Sequence, residues 1–392
     1  MNSGEARSGE RRPAEGNGHA GPSAALLPNP VRIIGTGLIG GSLGLALSAV
    51  GVTVQVEDAS PGIVALAEEM GVGTPADDRS PEPALVVIAA PPDVTAHLVD
   101  SALRRWPGAV VTDVASVKET VLEEVRRLAP ADALTRYVGA HPMAGREVSG
   151  VIAARGDLFR GRPFVVVPHE QSAPTATTLL RAVATEIGSV PVVLEAADHD
   201  RAVAHVSHVP QLVSSVLATT LLQAKDGALA LAGQGLRDTT RIADSDPHLW
   251  TEILSANAAA VAEVLDDAIA SLTQVRTALD TLQSADRAGT RPGRLAIAEV
   301  LRDGNRGAAR IPGKHGGGTD DFATVAVLVP DRPGELGRLF TTMGEIGINL
   351  EDLRLEHTLG RRVGIAYAAV MRAREDRLIT ELSRRGWTVT SA

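Results

Sequence analysis

Cysteine is absent from all 392 residues, which excludes a disulfide framework, a thiolate metal site and a cysteine nucleophile, and makes the cytoplasm the expected compartment. An excess of positive charge is also missing. At a formal net charge of −9 the chain offers no clustered basic surface, so neither nucleic acid nor a membrane is expected as a partner. No apolar run is long enough to span a bilayer, and residues 1–28, rich in Gly, Pro, Ala and charge, lack the apolar stretch of a signal peptide. They are expected to form a disordered tail. Only three of the 38 basic residues are lysines (Lys118, Lys225 and Lys314), a bias that reflects base composition and assigns no function. Apolar residues make up 44% of a chain too long for one core, so two or three domains are expected.

From residue 31 to 193, short β-branched runs alternate with helical stretches, the pattern of a parallel sheet flanked by helices. Strands are predicted at 31–34, 52–57, 85–89, 110–113, 137–140, 164–167 and 190–194. After Ala196 the strand signals stop and helices follow. One opens at Asp246-Pro247, a capping residue followed by proline, and carries Val261, Val264, Leu265, Leu272, Val275, Leu279 and Leu282 as an apolar stripe suited to a partner subunit. A homodimer is expected. Residues 286–320, with many Gly, Arg and Asp, read as a linker with one short helix near 295–301. Beyond it come a strand at 323–329, a helix to about Ile346, strands at 349–356 and 363–370, a helix, and a last strand near 387–389, the split-βαβ order. The expected fold is an α/β Rossmann-type domain over 29–195, an all-α dimerisation domain over 196–285, and an α+β ferredoxin-like domain over 321–392.

Gly35, Gly37 and Gly40 form G-x-G-x-x-G between the first strand and an apolar helix that opens at Leu38-Ile39. One glycine makes the tight turn, one lets backbone approach a pyrophosphate, one lets helix meet strand, and the helix N-terminus faces the phosphates. The second strand ends about 20 residues on at Glu57-Asp58, where a carboxylate would accept hydrogen bonds from the adenosine ribose and repel a 2′-phosphate. NAD is the expected cofactor, held by Gly35, Gly37, Leu38, Ile39, Gly40 and Asp58. Its preference over NADP also depends on whether Glu57 faces away.

Two motifs fall at the C-terminal ends of later strands, where open parallel sheets place their ligands: Asp113-Val114-Ala115-Ser116-Val117-Lys118 and Gly139-Ala140-His141-Pro142-Met143-Ala144-Gly145. A third, Ala204-His205-Val206-Ser207-His208-Val209-Pro210, and a fourth, Arg237-Asp238-Thr239-Thr240-Arg241-Ile242-Ala243, lie in the helical part. With Ser245-Asp246-Pro247 and Trp250 after them, these motifs resemble, in order and spacing, the prephenate and arogenate dehydrogenases over about residues 31–285. The resemblance implies oxidative decarboxylation of prephenate to 4-hydroxyphenylpyruvate: hydride leaves the hydroxyl-bearing ring carbon for nicotinamide as carbon dioxide departs and the ring aromatises.

That chemistry needs a neutral imidazole to accept a hydrogen bond from the hydroxyl, which selects His141, with Ser116 orienting the imidazole or the hydroxyl. It also needs a fixed cation for a dianionic substrate, which selects Arg241 as anchor and Arg237 as a second. By resemblance, His208 lines the pocket and Glu147 and Asp200 tune its entrance. Plainer roles compete. His141 can cap a turn, Ser116 can cap the helix opened by Ser-Val-Lys-Glu, Arg237 and Arg241 can share a solvated helix face, and His205 and His208 can pack a helix contact. His199 and His205 are assigned no role. Arg146 stands where some relatives have a small hydroxyl residue and Gln211 where some have a second pocket histidine, and both bear on the choice between prephenate and arogenate. An arogenate dehydrogenase and a non-catalytic NAD and amino-acid sensor remain as alternatives. The histidines and carboxylates have no ligand spacing, so no metal is expected.

Asp331-Arg332-Pro333-Gly334-Glu335-Leu336, the amphipathic helix after it and Gly347-Ile348-Asn349-Leu350 resemble an ACT domain over about residues 322–392. The resemblance implies an amino-acid effector, expected to be tyrosine, at Gly334, Glu335, Ile348 and Asn349. The turn would offer helix N-terminal amides to its carboxylate. An accessory dimerisation module without a ligand is the alternative.

Overall fold

The computed structural model describes residues 27–145, 150–284, 290–311, 322–357 and 363–391. The expected tail therefore lies outside the described residues but for its last two positions, and Arg146 and Glu147 lie outside them too. The described residues fall into two compact bodies. One takes those up to Ala230 together with Thr239–Leu265, the other Leu231–Asp238 and those from Asp266 onward.

The first body opens with β1 (Val31–Ile34), α1 (Leu38–Ala49), β2 (Val54–Glu57), α2 (Pro61–Glu69), β3 (Thr74–Pro75), β4 (Leu85–Ile88), α3 (Pro92–Arg105), β5 (Val110–Asp113) and α4 (Glu119–Leu128). Its five strands are parallel and ordered β3-β2-β1-β4-β5. Both faces are covered: Leu85 and Val87 pack with Leu43 and Leu47, while Val86 and Ile88 pack with Val99, Leu103 and Val125. β4, Leu-Val-Val-Ile and buried on both sides, reads as an unbroken apolar run, whereas β1 and β2 carry the buried Arg32 and Gln55, which bond each other at 2.9 Å. The strand order reverses between β1 and β4, and ligands of such sheets bind outside the carboxyl ends at that point.

β6 (Gly139–Pro142), β7 (Pro163–Val167), α5 (Pro174–Glu186) and β8 (Val190–Val193) follow. Tyr137 bridges Val111 in parallel, and the Val138 N–H donates to the Val111 carbonyl at 3.1 Å, so β6 runs in the direction of β5. The expectation of an all-parallel sheet fails at the next step. β7 runs antiparallel to β6 and β8 parallel to β7. A parallel pair needs a helical crossover and an antiparallel pair does not; the described residues between β6 and β7 hold only the short turn Val151–Ala153.

The helical stretch comprises α6 (Ala196–Val203), a π-turn over Ala204–His208, α7 (Val209–Thr220), α8 (Asp226–Leu229), α9 (Gln234–Thr240), α10 (Pro247–Ala256) and α11 (Ala258–Ser284). The Val209 N–H reaches back five residues to the Ala204 carbonyl. The widened turn falls just before Pro210, which has no N–H to give and whose ring would crowd the Val206 carbonyl in a regular helix. Asp246 caps α10 as expected, accepting the His248 N–H at 2.9 Å. The single helix expected from there to Leu282 instead breaks at Asn257.

In the second body, α12 (Arg291–Ala308) replaces the short helix expected inside the linker. Its Gly293 looked like linker composition, but a Cβ there would lie 2.8 Å from the Ala278 carbonyl, so glycine is what lets α12 approach α11 closely. β9 (Phe322–Pro330), α13 (Glu335–Ile346), β10 (Asp352–His357), β11 (Val363–Met371), α14 (Glu375–Arg384) and β12 (Thr388–Ser391) follow in the expected β-α-β-β-α-β succession. The strands are antiparallel in the order β10-β11-β9-β12. Leu339 and Met343 of α13 and Leu378 and Leu382 of α14 share one core with Val325, Val327, Ala366 and Ala368.

Candidate active site

The glycine turn is built as its spacing requires. Gly35 has φ +94°, and a Cβ on it would collide with the Ala89 carbonyl; a Cβ on Gly40 would collide with the Gly35 carbonyl. Gly37 differs, because a Cβ there would meet no atom within 4 Å. This open space in front of α1, whose first turn carries no acidic side chain, is where backbone can approach a pyrophosphate. Asp58 sits beside the turn, its Oδ2 accepting the Thr36 N–H (2.8 Å) and hydroxyl (3.2 Å) and its Oδ1 the Ser60 N–H (3.0 Å). Glu57 is bound elsewhere, to the buried Arg32 at 2.6 Å, and that guanidinium lies 4.9 Å from the Trp106 ring. Of the two carboxylates ending β2, Asp58 is the one next to the glycines, and the cradle fits a dinucleotide.

The loop after β5 is pinned from inside. Asp113 is fully buried; Oδ1 takes the Lys118 ammonium and the Ala115 N–H (2.9 Å), and Oδ2 takes the Tyr137 hydroxyl (2.7 Å). Burial, then Asp113, pushes the Tyr137 phenol up, so it stays a donor. Ser116 stands partly exposed at the bend of this loop. It is not the cap of α4. Asp200 fills that place from α6, accepting the Lys118 N–H and the Glu119 N–H, each at 2.9 Å.

His141, at the end of β6, lies in a group of three histidines. Its Nδ1 is 2.9 Å from His199 Nε2, and His199 Nδ1 is 2.7 Å from Asp200 Oδ1. The Asn257 side-chain amide Nδ2 donates to His208 Nδ1 at 3.1 Å and to the Asp200 carbonyl at 2.9 Å. The Trp250 ring meets His208 edge-on at 6.1 Å. Burial holds the His141 imidazole well below its ordinary value, and His199, Lys118 and His208 push the same way. Burial brings His208 to about 4, against a smaller opposing pull from Asp200. Both rings are neutral at pH 7, the form a hydrogen-bond acceptor needs.

The remaining expected residues are placed less closely. Arg241 is exposed and opens a short turn, Arg241–Ala243, that packs on α7. Gln211 Nε2 ties α7 to that loop through Ser245 Oγ at 2.8 Å, one helical turn from His208. Arg237 is exposed and belongs to the second body. Asp200, expected at an entrance, is 2% exposed with its carboxylate taken up by backbone amides and His199. In the second body Gly334 has φ +90°, Glu335 pairs with Arg338 at 2.7 Å, and the exposed Asn349 bonds Glu351 at 2.9 Å. Ile348 turns its side chain into the core.

Sequence reasoning missed His199, Asn257 and the Asp113–Lys118–Tyr137 cluster. His199 had a signal: three after Ala196 and four before Val203, it falls on the buried face of α6. Asn257 had none, because only the break between α10 and α11 turns it inward.

A family model described as "Prephenate dehydrogenase, nucleotide-binding domain" matches residues 43–193, and one described as "Prephenate dehydrogenase, dimerization domain" matches residues 195–288. A probable prephenate dehydrogenase, NovF, of Streptomyces niveus is 36% identical over 92% of this chain and 99% of its own. Among solved structures, the arogenate dehydrogenase of Synechocystis aligns at 27% identity and TM-score 0.58 over 71% of this chain and 99% of its own. The prephenate dehydrogenase of A. aeolicus, in complex with hydroxyphenyl propionate and NAD+, aligns at 25% identity and TM-score 0.59 over 70% of this chain and 97% of its own. With the glycine turn, the histidine group and both domain matches in one chain, this protein belongs to the prephenate dehydrogenase family.

Proposed function

We propose that the chain is an NAD-dependent prephenate dehydrogenase, working as a homodimer and releasing 4-hydroxyphenylpyruvate. The observation that carries this reading is a neutral-held imidazole, His141, at the end of β6, on the same carboxyl edge of the strands as the open glycine turn at β1. NAD+ bound at that turn would supply the hydride acceptor. His141 takes the substrate hydroxyl's hydrogen bond and then its proton as the carbonyl develops. Ser116, on a loop fixed by Asp113 and Lys118, orients that hydroxyl or the ring, and Arg241 holds a substrate carboxylate. The homodimer rests on the dimerization-domain match and on apolar residues of the helical stretch left exposed, among them Val213, Val216 and Leu217 of α7.

Initial rates on prephenate and arogenate, each with NAD and NADP, test the reading. Prephenate with NAD is expected to be fastest. Faster turnover of arogenate makes the chain an arogenate dehydrogenase, a reading favoured by the Synechocystis likeness. No turnover of either substrate leaves the sensor reading. The β-α-β-β-α-β unit beyond residue 321 is read as a ferredoxin-like ACT domain that binds an amino acid, tyrosine by the logic of feedback, near Gly334, Glu335, Asn349 and the backbone of Ile348. Its support is the strand order and the left-handed Gly334 that opens α13.

A further inference from the structure

We infer that His199, backed by Asp200, sets the tautomer of His141 and so makes its Nε2 the acceptor that the reaction needs. The inference rests on the dehydrogenase reading for its consequence in rate, and on geometry alone for the tautomer. Proton placement follows from one end of the chain of contacts. Both oxygens of the Asp200 carboxyl group already accept backbone N–H groups, of Lys118 at Oδ1 and of Glu119 at Oδ2, so the hydrogen between Asp200 Oδ1 and His199 Nδ1 belongs to the imidazole. With that single hydrogen on Nδ1, the His199 ring presents a bare Nε2. Two lone pairs cannot face each other at 2.9 Å, so His141 must carry its proton on Nδ1 and donate it to His199. The only nitrogen left without a proton on His141 is Nε2.

The same arrangement serves the reaction. When the substrate O–H bond breaks and its proton moves to His141 Nε2, the ring becomes an imidazolium whose Nδ1–H already points at an acceptor, and the charge is felt by Asp200 through His199. His199 is fully buried, so it reaches substrate only through His141 and is a positioning residue. The charged and titratable groups around the pair are Lys118 with Asp113, Asp200 and His208. His208 is fixed in the opposite sense: the Asn257 amide donates to its Nδ1, which leaves the hydrogen on Nε2.

Two measurements on the full chain test this. Nitrogen-15 spectra of histidine-labelled wild type at pH 8, without substrate, are expected to show His141 protonated at Nδ1 and bare at Nε2; the Nε2–H form would overturn the inference whatever the substrate proves to be. For the rate, His199→Gln keeps an oxygen acceptor toward His141 and an N–H donor toward Asp200, whereas His199→Leu keeps neither. The Gln variant should stay within about tenfold of wild-type kcat and the Leu variant should fall about 100-fold, with KM and NAD affinity nearly unchanged in both. Equal kcat in the two variants, high or low, would remove His199 from the positioning role. A wild type with no dehydrogenase activity would defeat the functional reading and leave the spectra to decide the tautomer.

Discussion

Around the reacting end of the first body the buried side chains are polar: Asp113, Lys118, His199, Asp200, His208 and Asn257 are none of them more than 5% exposed, and each is hydrogen-bonded to another of the group or to nearby backbone. The sheet of the second body is the reverse. Its core is Val325, Val327, Leu339, Met343, Ala366 and Leu378, and Glu335 and Asn349 pair at or near the surface with Arg338 and Glu351. A closed polar network fixes positions because removing one member strands its partner away from water; surface pairs contribute little and leave a domain free to adjust. The closed network suits a reaction that needs fixed protons.

The largest expected effect breaks the network at its ion pair. Lys118→Met leaves Asp113 buried and short of its cation, and should cost about 3–5 kcal/mol of stability, read as a lower midpoint in chemical denaturation. Lys118→Met with Asp113→Leu should recover only part of that loss: the uncompensated Asp113 carboxylate is gone, but the Ala115 N–H and the Tyr137 hydroxyl lose their acceptor. Arg306→Ala, which removes an exposed pair with Asp303 in the second body, should move the midpoint hardly at all. Equal losses for Lys118 and Arg306 would end the contrast between the bodies.

Next comes chemistry without unfolding. His141→Asn should reduce turnover about 100-fold or more with NAD affinity almost unchanged, because a positioned acid–base group contributes about that much. Near-normal turnover would take His141 out of the mechanism. Arg241→Ala should appear instead as a KM for prephenate raised about tenfold, the mark of an anchor made in ground and transition states alike.

Much of this was legible in sequence where a residue's neighbours along the chain decide its place. β1 and β5 match their predicted bounds because β-branched side chains fill most of both strands, and Gly35 and Gly40 sit where their spacing says, since a Cβ on either would strike backbone. What stayed hidden is what distant segments decide. The direction of β7 depends on a return that leaves no helical pattern. The hydroxyl of Ser116 looked like the cap of α4, but Asp200, some eighty residues on, fills that role. Gly293 looked like linker because its packing partner, α11, is a separate helix.

A smaller effect should appear as pH falls. The unfolded chain protonates His208 near the ordinary imidazole value of about 6.5, while the folded protein holds that ring neutral down to about 4. The folded form thus binds fewer protons between those values, so stability present above pH 6.5 is lost as pH drops toward 4. Denaturation midpoints from pH 7.5 to 4.5 should fall more steeply for wild type than for His208→Gln. Matching slopes would mean that His208 is not held neutral by the fold.

The smallest expected effect lies in the second body and would sharpen the contrast most. If its surface is a binding site, tyrosine should lower activity by shifting an equilibrium, and coupling of that kind usually changes affinity about 5-fold or somewhat more. Tyrosine should then inhibit the full chain at concentrations that leave a chain ending at Asp320 largely active, although competition by tyrosine as a product analogue would persist in both. Reciprocity supplies the second arm, since substrate should weaken tyrosine binding by the same factor wherever the coupling is in binding. Asn349→Ala in the full chain should raise the tyrosine needed for inhibition without changing the uninhibited rate. Equal inhibition of the full and shortened chains would put tyrosine at the active site and make the second body's sheet a module for assembly.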